Sequence, residues 1–138
     1  MRDPLRILSY NVSWGVLSGD ATSSEGVWVE GCRRQGWDCR ARVQQLIDAA
    51  TPDLMLLQEF VPDKLRIDPR TYQVRTWTSG RETGAIVGRR ALVGRIGGRT
   101  LAAMSVGDAE GRVALAVSFP RLQLVVASVH AGHDPTAR

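Results

Sequence analysis

The chain has 138 residues, 43% of them hydrophobic and 23% charged, which suits one domain with a sizeable core and excludes a disordered or low-complexity protein. No apolar run approaches the roughly 20 residues of a membrane helix. The N-terminus passes from Arg2 and Asp3 into a strand-like run without signal-peptide architecture, so no membrane span and an intracellular location are expected. The net charge of +4 rests on arginine, with Lys64 the only lysine, and is permissive of an anionic partner.

Residues 5–11 read as a buried strand ending in Asn11. Residues 13–38 hold five glycines and several serines and are expected to form a long loop, anchored by Trp14, Trp28 and Trp37. Within this stretch Cys32 is separated by six residues from Cys39, the other cysteine of the chain. With no second pair and no nearby histidine they do not make a zinc site, and reduced thiols are expected, a local disulfide being the alternative. Asp38 is suited to cap a helix whose apolar stripe is Val43, Leu46, Ile47 and Ala50, and Pro52 ends it. Asp53 then leads into Leu54-Met55-Leu56-Leu57-Gln58-Glu59.

Helix after strand and before strand reads as a βαβ-like unit packed on a sheet. Further strands are expected over 72–78, 85–87, 101–106, 113–119 and 122–129, with a tight turn at Pro120-Arg121.

Chemistry gathers where the apolar runs stop. Glu59 follows four large apolar residues, so its carboxylate lies at the rim of a buried sheet and needs a cation or a donor; a hard divalent ion is a natural partner. Asn11 ends the first strand, and its amide can bind a metal or hold a phosphate oxygen. His130 ends the most hydrophobic strand, with His133 and Asp134 close behind, and imidazole shuttles protons near neutral pH. Arg112 opens a strand and can hold phosphate, and Glu82 can orient His130. Each of these residues alone has an ordinary structural explanation; their order along the chain is the signal.

Together the motifs resemble the endonuclease/exonuclease/phosphatase superfamily, which includes deoxyribonuclease I, abasic-site endonucleases, sphingomyelinases and inositol polyphosphate phosphatases. Ile7-Leu8-Ser9-Tyr10-Asn11-Val12 is similar to its opening strand, and Pro52-Asp53-Leu54-Met55-Leu56-Leu57-Gln58-Glu59 to its magnesium-binding motif. The run from Gly111-Arg112 to Val129-His130 resembles the hairpin of the deoxyribonuclease branch. The resemblance implies metal ligands Glu59 and Asn11, a catalytic His130 paired with Glu82, a phosphate-binding Arg112, and Mg2+ or Mn2+ as cofactor. It implies a phosphate-ester substrate, with nucleic acid among the candidates.

The chain departs from the family in carrying neither an Asp-x-Asn motif nor a late Asp-His pair. Residues 1–138 therefore read as a single truncated domain of α/β class: a mixed, mostly antiparallel sheet with a flanking helix, equivalent to half of the deoxyribonuclease I-like two-sheet sandwich. A sheet face left bare by the missing half calls for a homodimer or a second-half partner chain. The expected function is a metal-dependent phosphoesterase in partial copy; the alternative is a non-catalytic phosphate- or nucleic-acid-binding or interaction module on the same fold.

Overall fold

The computed structural model describes residues 4–22, 26–80, 82–105 and 112–130. Strand β1 (Ile7–Asn11) is followed by helices α1 (Trp14–Ser18), α2 (Gly26–Arg34) and α3 (Cys39–Ala50), and then by β2 (Leu54–Gln58). The hairpin β3 (Tyr72–Ser79) and β4 (Glu82–Arg89) comes next, then α4 (Arg90–Ile96). Strands β5 (Arg99–Ser105), β6 (Val113–Phe119) and β7 (Leu124–Val129) complete the fold.

Two sheets result. Sheet A has the order β1-β2-β4-β3; β1 and β2 are parallel, with Asn11 opposite Gln58, and the other pairs are antiparallel. This is the expected mixed, mostly antiparallel sheet, and helices cover one of its faces. Sheet B, of order β5-β6-β7, is wholly antiparallel and packs on the other face. The face expected to lie bare is thus covered by this chain's own later strands.

Side-chain alternation divides the interior into two cores. Met55 and Leu57 of β2 and Ala85 and Val87 of β4 face the helices, where they meet Val43, Ile47 and Leu17. Leu54 and Ile86, on the opposite faces of the same strands, meet Leu115, Val117, Phe119 and Val126 of sheet B. Continuous burial of β2 and β4 follows from this two-sided cover. Gly84 and Gly88 let the sheets and α4 close on β4: a Cβ at Gly84 would sit 2.9 Å from Val113 Cγ2, and one at Gly88 2.5 Å from Val93 Cγ1.

Several local expectations are corrected. The glycine-rich stretch after β1 folds mostly as helix. Ser13 caps α1 by accepting from the Val16 N–H at 3.3 Å, and α2 buries Gly26 and Val29. Asp38 caps α3 as expected, accepting from the Ala41 N–H at 2.9 Å. The buried stripe of α3 is Val43, Gln44 and Ile47, whereas Leu46 is 44% exposed. Gln44 is inside because its amide accepts from the Arg66 N–H at 2.8 Å and donates to the Arg66 carbonyl at 3.0 Å, so its own polar atoms are satisfied by the loop that follows Leu65. Cys32 and Cys39 form a disulfide, not two thiols. The turn between α2 and α3, held by a bond from the Trp37 N–H to the Cys32 carbonyl, brings their Cα atoms to 5.9 Å. Helix α4 was not anticipated. His133 and Asp134 lie outside the described residues.

Sheet B has an inner and an outer face. Leu115 is 1% exposed between the sheets, whereas Val125 and Val129, on the outer face of β7, are 59% and 53% exposed. Leu115→Ala should therefore cost about 2–5 kcal/mol of stability. Val125→Ala should stay within about 0.5 kcal/mol. Chemical denaturation of the two variants checks this; a comparable loss in both would mean that the outer face is covered in solution.

Candidate active site

Strand direction brings the candidate residues to one rim of the sandwich. Strands β1 and β2 run parallel, so Asn11 and the residue after Gln58 emerge together. β4 runs against β2 and begins at this rim with Glu82. β7 ends there before His130, and β6, antiparallel to it, begins there after Arg112. The N–H of His130 donates to the Val113 carbonyl at 3.1 Å, which pins the start of the segment after β7. Gln58 Nε2 donates to Ser128 Oγ at 2.8 Å and ties the two sheets together beside the rim.

Glu59 is held in an unusual backbone conformation. Its φ of 54° lies in the left-handed region, which costs a non-glycine residue of the order of 1 kcal/mol or more. The turn aims its carboxylate back across β1. Oε1 accepts from Asn11 Nδ2 at 3.0 Å and Oε2 accepts from the Trp14 N–H at 2.8 Å. Asn11 is fixed in turn, its Oδ1 accepting from the Ser13 N–H at 2.8 Å. Ser13 has a φ of 60°, so two strained residues flank the same polar cluster.

His130 lies between two carboxylates. Its Nδ1 is 2.8 Å from Glu82 Oε1, and its Nε2 is 3.5 Å from Glu59 Oε1. Arg112 Nη1 approaches Nε2 to 2.5 Å and Glu59 Oε1 to 3.9 Å. A guanidinium can only donate, so the nitrogen it approaches most closely accepts; the bonding network assigns the proton of the neutral ring to Nδ1, where it is donated to Glu82. Glu82 is 8% exposed. Burial pushes its carboxyl above the ordinary 4.5, while the hydrogen bond from His130 and the charges of His130 and Arg112 hold it back.

The structure thus brings Asn11, Glu59, Glu82, Arg112 and His130 together. Sequence reasoning missed the Trp14 N–H, Ser13 and the Gln58–Ser128 brace. A backbone donor leaves no trace in residue type, but Ser128, two residues before His130 and so on the same face, was open to notice. The Glu59 carboxylate is a hard donor and fits a magnesium-type ion, which takes one or two carboxylates together with water and substrate phosphate; Asn11 turns its Nδ2 to Glu59 and its Oδ1 to the Ser13 N–H, so ligation by its amide oxygen requires the amide to turn. Among the described residues no three His, Cys, Asp or Glu side chains form a metal-binding group.

The architecture is that of a deoxyribonuclease I-like half-sandwich, and solved structures of that fold match it. One is D. rerio TDP2 complexed with a single-strand DNA product, at a TM-score of 0.60 and 19% identity over 99% of this chain and 49% of that one. Another is a humanized D. rerio TDP2 carrying 14 mutations, at a TM-score of 0.53 and 19% identity over 89% of this chain and 45% of that one. The chain therefore spans about half the length of these structures. At this identity the likeness establishes the fold. No protein-family model matches the chain, and no curated protein matches it.

The raised value of Glu82 has a definite sign. The folded carboxyl keeps its proton to higher pH than the unfolded one, so its contribution to stability is full below 4.5 and is lost as pH rises through the folded value. Glu82→Gln removes this titration. The stability of the wild type relative to the variant should therefore be greater at about pH 4 than at about pH 7. Denaturation of both proteins at each pH measures this; a difference that grows toward neutral pH would contradict it.

Proposed function

We propose that the chain carries the N-terminal half of a metal-dependent phosphodiester hydrolase, in which Glu59 and Asn11 hold Mg2+ or Mn2+, His130 moves a proton, Glu82 positions His130, and Arg112 neutralises phosphate charge. The observation that carries this reading is the convergence of all five side chains on one rim from five separate strands or strand ends. A nucleic-acid strand is the favoured phosphate ester: the net charge is +4, and the similar TDP2 structure is complexed with single-strand DNA.

A bound divalent ion supplies charge stabilisation at a phosphoryl oxygen. The chain's own groups do the rest. Arg112 Nη1, close to both Glu59 and His130, would offer its N–H groups to a phosphate oxygen entering beside them. His130 Nε2 faces the same space and would take a proton from the attacking water as the water oxygen bonds to phosphorus and the bond from phosphorus to the leaving oxygen breaks. Its Nδ1–H stays on Glu82, which holds the ring plane and favours the positive charge the ring takes on. The preset bonds of Glu59 to Asn11 and Trp14 keep its carboxylate aimed before any ligand arrives.

This reading includes completion by a second half, from a continuing chain, a partner chain or a second copy. Support comes from the exposed edge strand β1, whose Ile7 is 46% exposed, and from Leu101, Met104, Val125 and Val129, each at least half exposed on sheet B. A second reading, phosphate or nucleic-acid binding without turnover, is favoured by one observation: both Glu59 oxygens already accept hydrogen bonds from the protein.

Hydrolysis of single-stranded DNA with manganese tests the two. Glu59→Gln should abolish manganese binding in calorimetry, and His130→Ala should lower the rate by about 10²–10⁴-fold. Unchanged manganese affinity in Glu59→Gln removes that residue from the metal site. DNA binding without cleavage, in the wild type supplied with manganese, favours the binding module.

A further inference from the structure

A cavity of about 420 Å³ opens beside the candidate active site, between the end of β1 and helices α2 and α3. Asn11 and Ser13, which belong to the hydrogen-bonded cluster around Glu59, also belong to its wall, so it borders the catalytic rim. The remainder of the wall is mostly apolar: Tyr10, Val43, Leu46 and the Cys32–Cys39 disulfide, with Trp28 and Arg42 added. None of these has a part in the chemistry described above.

Trp28 is the informative residue. Helix α2 buries Val29 to 6% exposure yet leaves Trp28 68% and Val27 67% exposed. An indole so placed contributes little to the core. Leu46, on the facing helix, is 44% exposed, and its neighbour Val43 is buried. Two of the apolar groups of the wall, Trp28 and Leu46, are therefore left open to solvent by folding, beside a rim of strongly polar residues. Arg42 supplies the charge: its guanidinium lies 5.5 Å from the centre of the Trp37 ring, and no carboxylate among the described residues pairs with it.

We propose that this cavity is a base-stacking subsite, which takes the nucleobase flanking the reacting phosphodiester on Trp28 while Arg42 meets the adjoining phosphate. An exposed aromatic face beside a cation is what an unpaired base and its backbone require, whatever the base identity. A duplex hides its base faces, so the subsite selects single strands. The proposal rests on the phosphodiesterase reading only for the position of the reacting phosphate; base stacking itself needs no turnover.

The test is fluorescence anisotropy of the full 138-residue chain without divalent ion. The probes are a short labelled oligothymidylate and a strand of equal length made of abasic tetrahydrofuran sites. The wild type should prefer the thymidylate strand by about tenfold or more. Trp28→Ala should lose most of that preference while keeping its affinity for the abasic strand, and Trp28→Phe should restore it. Equal affinity of the wild type for both strands overturns the proposal, as does a preference that survives in Trp28→Ala. Equal loss for both strands in Trp28→Ala, with its helical circular dichroism intact, also overturns it. A Trp28-dependent preference without any hydrolysis in the manganese assay supports the subsite and counts against the catalytic reading. Hydrolysis without a base preference does the reverse.

Discussion

The contact between Glu82 Oε1 and His130 Nδ1, 2.8 Å long, is the interaction on which the site depends, because it crosses from one sheet to the other. Glu82 begins β4 of sheet A; His130 follows β7 of sheet B. Each is on the inner face only through the parity of its strand. Glu82 shares a face with Ile86, which packs between the sheets, and His130 shares one with Val126 and Ser128, both buried. A slip of one residue in either strand would turn the partner away and expose the apolar set with it. The core between the sheets and the carboxylate–imidazole pair therefore specify the same register.

The rim also stores strain. Glu59 and Ser13 both have positive φ, and both bond within the Asn11 cluster. Such conformations persist where the surroundings over-determine them. Here the parallel pairing of β1 with β2 fixes Asn11 beside Gln58, the bond from the Val12 N–H to the Gln58 carbonyl extends it by one residue, and the Trp14 N–H closes the turn from the helical side. The carboxylate is aimed by backbone that has little freedom to move, which is the condition for electrostatic preorganisation.

Much of this was legible in the residues. Long apolar runs ending in Asn11, Glu59 and His130 located three strands and the polar residues that meet at their ends, because a continuous hydrophobic run needs cover on both faces and its polar terminus then falls at a rim. The cap at Asp38 and the stop at Pro52 fixed α3. What the sequence hid has physical causes. Gly26, Gly31 and their neighbours masked α2, whose stability comes from packing against the body and not from propensity. Gly84 and Gly88 shortened the expected β4, although they are there because its neighbours press so close. Gln44 read as a surface residue until the Arg66 backbone supplied its partners. The division into two sheets was invisible because strand pairing is a long-range property; the sequence signals strand existence, not which strand lies beside it.

The most direct test is the tautomer of the His130 ring. Long-range proton–nitrogen correlation spectra of imidazole-labelled protein, above the pH at which the ring is charged, distinguish Nδ1–H from Nε2–H. The account requires the proton on Nδ1 in the wild type and its release toward the mixed tautomers of free imidazole in Glu82→Ala. A ring protonated on Nε2 in the wild type, or a tautomer indifferent to Glu82, would contradict it.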